Sequence, residues 1–296
     1  MADAADTADV TDVADRLTER FHAMSFGDAR IVFVLGHPRS GIGKGHLVAR
    51  LASLVEGTAT AIKYEGMLNT NDSDNHPSPT DDVATYARFC PDVVLGWPNQ
   101  ILGGEVMRDF MDTYGGTGRE HLMFVPHLAH HLALRFHAAW QKCGSPSTLF
   151  VELGGTLTDR ELTAFVLPCV AQLKARHARV ATLLLTEVSF DGDEPKSRPV
   201  RQALQDALSF GLEIDVLFLR LPGGLPQQEI ESVPERVERK IRESYVYGGR
   251  SPAAVPVPHF AGDELAGYRE HLARYVHLLP HGPGRPAAGG EAIEHA

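Results

Sequence analysis

A lysine set behind a run of glycines is the first group in this chain whose type and spacing could do chemistry. It stands in I-V-F-V-L-G-H-P-R-S-G-I-G-K-G, residues 31–45. Gly41, Gly43 and Gly45, with Ile42 among them, let backbone N–H groups close around an oxyanion, and Lys44 adds a full positive charge. The apolar run from Ile31 to Leu35 suits a strand buried on both faces. Apolar spacing at Leu47, Val48, Leu51 and Leu54 suits a helix directly after it. Strand, glycine turn, lysine and helix together predict a phosphate cradle. The spacing departs from G-x-x-x-x-G-K-[ST], because Gly36 lies too far from Lys44 and Gly45 stands where a hydroxyl would hold Mg²⁺. Metal ligands must then come from elsewhere in the chain.

Charged residues at other element ends could meet that need. Lys63 and Glu65, in K-Y-E-G-M-L-N, close a second predicted strand on one face, at the sheet edge where ligands bind in parallel α/β folds. Asp81 and Asp82 open D-D-V-A-T-Y-A-R-F, where carboxylates either cap a helix or serve a site. In V-E-L-G-G-T-L-T-D, Glu152 ends an apolar strand, the place from which a carboxylate reaches Mg²⁺ in a phosphate-binding α/β protein. Lys196, Arg198 and Arg201, in K-S-R-P-V-R, stand before a helix, either as a solvated basic turn or as a clamp for an anionic substrate. His127 and His131 lie one helical turn apart but lack the acidic partner of H-E-x-x-H, so no metal is expected there. Cys143 sits in a turn with no evident base beside it and is expected to be inert.

The elements that must position these groups alternate regularly. Strands are predicted at 58–64, 91–96, 121–125, 148–152, 180–188 and 214–220. Helices are predicted at 10–24, 81–89, 105–114, 127–141, 158–176 and 199–210. This order predicts an α/β fold with a doubly wound, mostly parallel sheet. Beyond Leu221 the pattern weakens to a helix at 228–243, a strand-like 244–247 and a last helix at 263–278. The expected organisation is an acidic N-terminal extension (1–28), one domain (29–279) and a flexible Pro/Gly/Ala tail (280–296).

Composition narrows the function. With 296 residues and 43% hydrophobic content the chain can build a real core, and a net charge of −10 without a basic stripe argues against nucleic acid. The three cysteines, Cys90, Cys143 and Cys169, lack metal or redox spacing, which fits a reducing cytoplasm. No apolar run approaches membrane-spanning length, and the acidic start lacks the features of a signal peptide.

Six motifs occur in an order that resembles the amidoligase domain of CTP synthase: V-F-V-L-G…S-G-I-G-K-G, K-Y-E-G-M-L-N, D-D-V-A-T-Y-A-R-F, V-P-H-L, V-E-L-G-G-T-L-T-D and K-S-R-P-V-R…G-L-E-I-D-V-L-F-L-R. The match runs from about Ile31 to Arg220. The resemblance implies a three-layer, P-loop NTPase-like domain related to dethiobiotin synthetase, working with ATP and Mg²⁺. In that family ATP phosphorylates the 4-oxygen of UTP, and ammonia then displaces the phosphate. Carried over by position, Lys44 and Lys63 are similar to the catalytic lysines, and Asp82 and Glu152 to the Mg²⁺ carboxylates. Ser40, Gly41, Ile42, Gly43, Lys44 and Gly45 would hold the ATP phosphates, with Arg220 near the adenine. Ser40, Lys63, Glu65, Asp159, Lys196, Arg198 and Arg201 would face the substrate.

The departures shape the expectation as much as the matches. The glutaminase domain of the family is not found in this sequence, and the segment between Glu65 and Asp82 is shorter than its counterpart. Free ammonia or a small amine is therefore the expected nitrogen source. Gly41 replaces a cradle serine, Arg198 a lysine, and Arg201 a glutamine that contacts substrate phosphates, so the anionic acceptor need not be UTP. A homo-oligomer, dimer or tetramer, is expected as well. Two other readings share the same residues: a carboxylate-activating ligase of the dethiobiotin-synthetase kind, and a non-catalytic nucleotide-binding regulator. Lys44, Asp82 and Glu152 together favour catalysis, since a sensor has no need of a full phosphoryl-transfer set.

Overall fold

The computed structural model describes residues 10–39, 41–66, 83, 85–86, 99–115, 122–244, 252–258 and 265–279. Helix α1 (Val10–Ala23) leads into strand β1 (Arg30–His37), which is followed by α2 (Lys44–Ala52) and β2 (Ala59–Glu65). Next come β3 (Gln100–Leu102), α3 (Gly103–Tyr114), α4 (Ala129–Lys142) and β4 (Thr148–Leu153). Helix α5 (Leu167–Arg176), β5 (Val180–Glu187), the small hairpin β6 (Phe190–Asp191) and β7 (Glu194–Pro195), and α6 (Arg198–Ser209) follow. The chain continues through β8 (Val216–Arg220), α7 (Gln227–Ser244), β9 (Ala253–Val257) and α8 (Leu265–Ala273).

Among the described residues seven strands form one sheet, in the order β3-β2-β4-β1-β5-β8-β9, and every pairing in it is parallel. The predicted doubly wound α/β architecture is present. Strand β1 sits centrally, between β4 and β5, and its six interior residues are all buried. A strand covered on both faces needs apolar residues at successive positions, which explains the unbroken Ile31–Leu35 run. Ile31, Phe33 and Leu35 point into one core, with Leu17 and Phe21 of α1, α4, α5 and α6. Val32 and Val34 point into the other, with Leu47, Val48 and Leu51 of α2.

That division positions the site. Strands β1 and β4 are neighbours, yet the helix after β1 covers one face and the helix after β4 covers the other. The outgoing loops part company there and leave a crevice at the carboxyl ends of the strands, where open α/β sheets bind ligands. Among the described residues no helix is long and apolar enough to cross a membrane.

The predicted strand 121–125 is not a strand over its described part: residues 124–128 form a wide helical turn, Phe124–Leu128. There Leu128 N–H reaches Met123 O, and Met123 N–H donates to His127 Nδ1, so the backbone is satisfied within the turn rather than by a ladder. The predicted strands at 91–96 and 244–247 fall almost wholly outside the described residues. Strands β3 and β9, at the two sheet edges, were not anticipated.

Candidate active site

Lys44 opens α2, and its ammonium folds back over the end of β1 to donate to Gly155 O at 2.7 Å. A Cβ on Gly36 would stand 3.0 Å from Lys44 Cδ and Nζ, so a larger residue at that strand position would push the lysine aside. Gly43 caps α2 at φ 102°, a left-handed conformation that a side chain would strain. A Cβ there would also meet Arg220 Nη1 at 2.7 Å, because the Arg220 guanidinium, at the end of β8, donates to Ile42 O. The loop glycines thus serve backbone conformation at Gly41 and Gly43, and Gly36 and Gly43 leave space in which two cationic side chains approach closely.

Strand register brings the next groups together. β2 lies beside β4 with Lys63 opposite Glu152, and both residues face the same core as α2. Lys63 Nζ donates to Glu152 Oε1 at 2.5 Å, and Glu65 Oε1 stands 3.7 Å from the same ammonium. Lys63 is 5% and Glu152 2% exposed, so this is a buried ion pair at the mouth of the crevice. The other carboxylate oxygen, Oε2, accepts from the fully buried Tyr86 hydroxyl. Sequence reasoning passed over Tyr86, although its place four positions after Asp82, one helical turn, was a signal. Asp82 and Ser40 themselves lie outside the described residues, as does Asp81.

The loop after β4 supports the cradle. Asp159 Oδ2 accepts from Thr156 N–H at 2.6 Å and Oδ1 from Thr156 Oγ1 at 2.9 Å, which fixes the turn presenting Gly155 O to Lys44. Both Asp159 oxygens therefore brace the loop. Lys196, Arg198 and Arg201 stand at or just before α6, which packs on the core opposite to that of α2. Lys196 is half exposed, 3.8 Å from Asp191 Oδ2. Arg201 N–H donates to Ser197 O in the first turn of α6. Among the described residues no hydrogen bond or ion pair links Lys196, Arg198 or Arg201 to the Lys63–Glu152 pair.

The histidines are engaged in packing. His131 Nε2 lies 3.1 Å from Asp109 Oδ2, and His130 stacks on Phe21 at 4.0 Å, where burial pushes its pKa down to about 4. No group able to hold a metal through three or more His, Cys, Asp or Glu side chains is found among the described residues. Cys143 is buried, and burial raises its thiol pKa, which removes the nucleophilic thiolate at neutral pH.

The Tyr86 contact makes a direct prediction. A hydrogen bond to a charged group is worth about 1.5–3 kcal/mol, so Tyr86→Phe is expected to lower the unfolding free energy by about that amount. Urea unfolding of the two proteins side by side measures it. An unchanged midpoint would mean that Glu152 has no use for the hydroxyl.

A central parallel strand, a glycine loop, a lysine at the following helix and a buried carboxylate at the neighbouring strand end define a P-loop-like α/β domain of the nucleotide-handling class. Within that class the family can be stated: the model of the CTP synthase N-terminus matches residues 30–243, and this chain belongs to that family. CTP synthase of Synechococcus sp. (strain JA-3-3Ab) is 24% identical over 277 residues, covering 86% of this chain and 50% of its own length. That of Picosynechococcus sp. (strain ATCC 27264 / PCC 7002 / PR-6) is 26% identical over 234 residues, covering 70% and 41%. The chain thus spans about half the length of the curated relatives it matches. A solved structure of HypB from Helicobacter pylori in complex with nickel aligns at TM-score 0.44 and 12% identity, covering 89% of this chain and 93% of that one.

Proposed function

We propose that this chain is an ATP- and Mg²⁺-dependent amidoligase of the CTP synthase kind. It would phosphorylate an oxygen of an anionic acceptor, UTP or a related molecule, and let ammonia or a small amine displace the phosphate. The observation that carries the reading is the convergence of Lys44, Lys63 and Glu152 on one crevice, in a chain of this family.

The residues divide the work. Backbone N–H groups of 41–45 and the Lys44 ammonium neutralise oxygens of the ATP phosphates, with Ser40 at the loop's start. The buried Glu152, already held by Lys63 and Tyr86, fits the role of a metal carboxylate, and Asp82 is the second candidate. Mg²⁺, when bound, spreads the charge that gathers on the transferring group. Lys63 stands at the same mouth, where the phosphoryl group passes. Lys196, Arg198 and Arg201 hold the acceptor's anionic part, with Glu65 and Asp159 at its margin, while Arg220 stands beside the ATP base. In the second step nitrogen forms a bond to carbon as the carbon–oxygen bond to phosphate breaks. The phosphate leaves with the electron pair, and the nitrogen sheds its extra proton to water. Neutral NH₃ alone carries the attacking lone pair. A dimer or tetramer is part of this reading, and the exposed apolar residues Met123, Phe124 and Val125 offer surface for such an assembly.

Arg201 tests the acceptor side. A charge-assisted contact is worth about 1.5–3 kcal/mol, or roughly ten- to a hundredfold in affinity. Arg201→Gln is expected to weaken UTP binding by about that factor and to leave ATP binding nearly intact. Titration of each nucleotide against both proteins decides it. Equal losses for the two ligands, or none for UTP, would remove Arg201 from the acceptor site.

A further inference from the structure

Strand β1 ends on His37, and its neighbour β5 carries Thr186 alongside, the two residues being paired in the parallel ladder. Side chains alternate along a strand, so His37 follows Ile31, Phe33 and Leu35 onto the face that α6 covers. Thr186 follows Val180 and Leu184 onto the same face. Thr186 is fully buried. Its Oγ1 and His37 Nδ1 are both closed off from solvent, and neither has a hydrogen-bond partner among the described residues. Buried polar groups in folded proteins are nearly always paired, so two unpaired atoms on adjacent strands call for a bound molecule.

The surroundings select what that molecule can be. Burial lowers the His37 pKa, against the opposing pull of the Asp206 carboxylate on α6, so the ring is neutral at neutral pH. With its hydrogen on Nε2, Nδ1 is an acceptor, and the Thr186 hydroxyl oxygen accepts as well. A carboxylate acting on the ring disfavours an anion there and favours an N–H donor. Ammonia or a primary amine can donate one N–H to each atom and keep its lone pair free. His37 also leads directly into the cradle loop, and the helix it faces begins at the proposed acceptor cations.

We infer that His37 and Thr186 seat the nitrogen nucleophile, ammonia or a small primary amine, and that His37 takes up its proton. This rests on the proposed amidoligase reading and adds the residues that hold the attacking nitrogen. The lone pair forms the bond to carbon while the carbon–oxygen bond breaks and phosphate leaves with that pair. The proton that the nitrogen must lose passes to His37 Nδ1 and from there to water. Asp206 stabilises the imidazolium in between.

Nitrogen NMR of the histidine rings follows the binding without acceptor or turnover. The His37 Nδ1 signal is identified by its loss in His37→Ala, and ammonium chloride is titrated against sodium chloride at equal ionic strength. The expected result is a saturable shift with ammonium alone, with affinity weakened about two- to tenfold in Thr186→Val. No shift, or the same shift with both salts, would mean that the two atoms share a buried water, and would overturn the assignment. Ammonium-dependent ADP release, with Mg-ATP and UTP, then tests the proton step. His37→Ala is expected to lower kcat about a hundredfold or more, with partial rescue by added imidazole, and Thr186→Val to raise the ammonium KM while kcat is kept. An unchanged kcat in His37→Ala would take the proton step away from His37. An ammonium-specific shift without ammonium-dependent turnover, with UTP or other anionic carbonyl compounds, would sink the amidoligase reading and leave the amine site standing.

Discussion

Lys44→Ala is expected to give a folded protein whose ATP turnover has fallen by about 10²–10³-fold or more. The lysine is 4% exposed, and its ammonium makes a 2.7 Å bond to Gly155 O. Losing that bond should cost stability about 1.5–3 kcal/mol, the usual worth of a hydrogen bond to a charged group. The catalytic cost is the larger of the two, because phosphoryl transfer leaves the protein little to do except position groups and neutralise charge. A fixed cation in a water-poor crevice is worth much more there than in solvent. ADP release and thermal unfolding, measured on the same preparation, separate the two effects. Normal turnover in a folded Lys44→Ala protein would dismiss the cradle.

The Lys63–Glu152 pair should show the opposite balance of structural and catalytic cost. Lys63→Met leaves the Glu152 carboxylate almost fully buried, with the Tyr86 hydroxyl as its remaining partner among the described residues. Breaking a buried pair from one side costs about 3–5 kcal/mol, since the orphaned charge has lost both water and its counterion. Replacing both partners by apolar residues of similar size removes that penalty. Lys63→Met with Glu152→Leu is therefore expected to recover most of the stability that Lys63→Met loses, and to recover none of the activity. Denaturant unfolding and ADP release on the three proteins give the comparison. If the double variant regained turnover along with stability, the pair would be a packing feature and not part of the chemistry.

How much of this could be read from the residues follows from how local each signal is. The cradle was legible because strand, loop, lysine and helix are contiguous, and the glycine spacing has few other uses. Glu152 was legible as a strand-end carboxylate. Its partnership with Lys63 was not, since it depends on β4 inserting between β2 and β1, and a local pattern does not state which strands pair. β3 was missed because it is three residues long, and β9 because Pro256 sits within it, which an edge strand tolerates. The apolar run before Pro126 read as a strand, but its backbone groups close on themselves in a wide turn. His37 and Thr186 lie far apart in the chain and stand side by side only through the parallel pairing of β1 with β5.

Labelled ammonium and Mg-ATP, given to the purified chain together with UTP and a panel of other anionic carbonyl compounds, test the central claim most directly. ADP release and label in the acceptor are followed together. The expected result is an acceptor with which ADP forms rapidly only when ammonium is present, with one labelled nitrogen incorporated per ADP. The yield should rise with pH towards the ammonium pKa. ADP release indifferent to ammonium, with no label in any acceptor, would contradict an amidoligase.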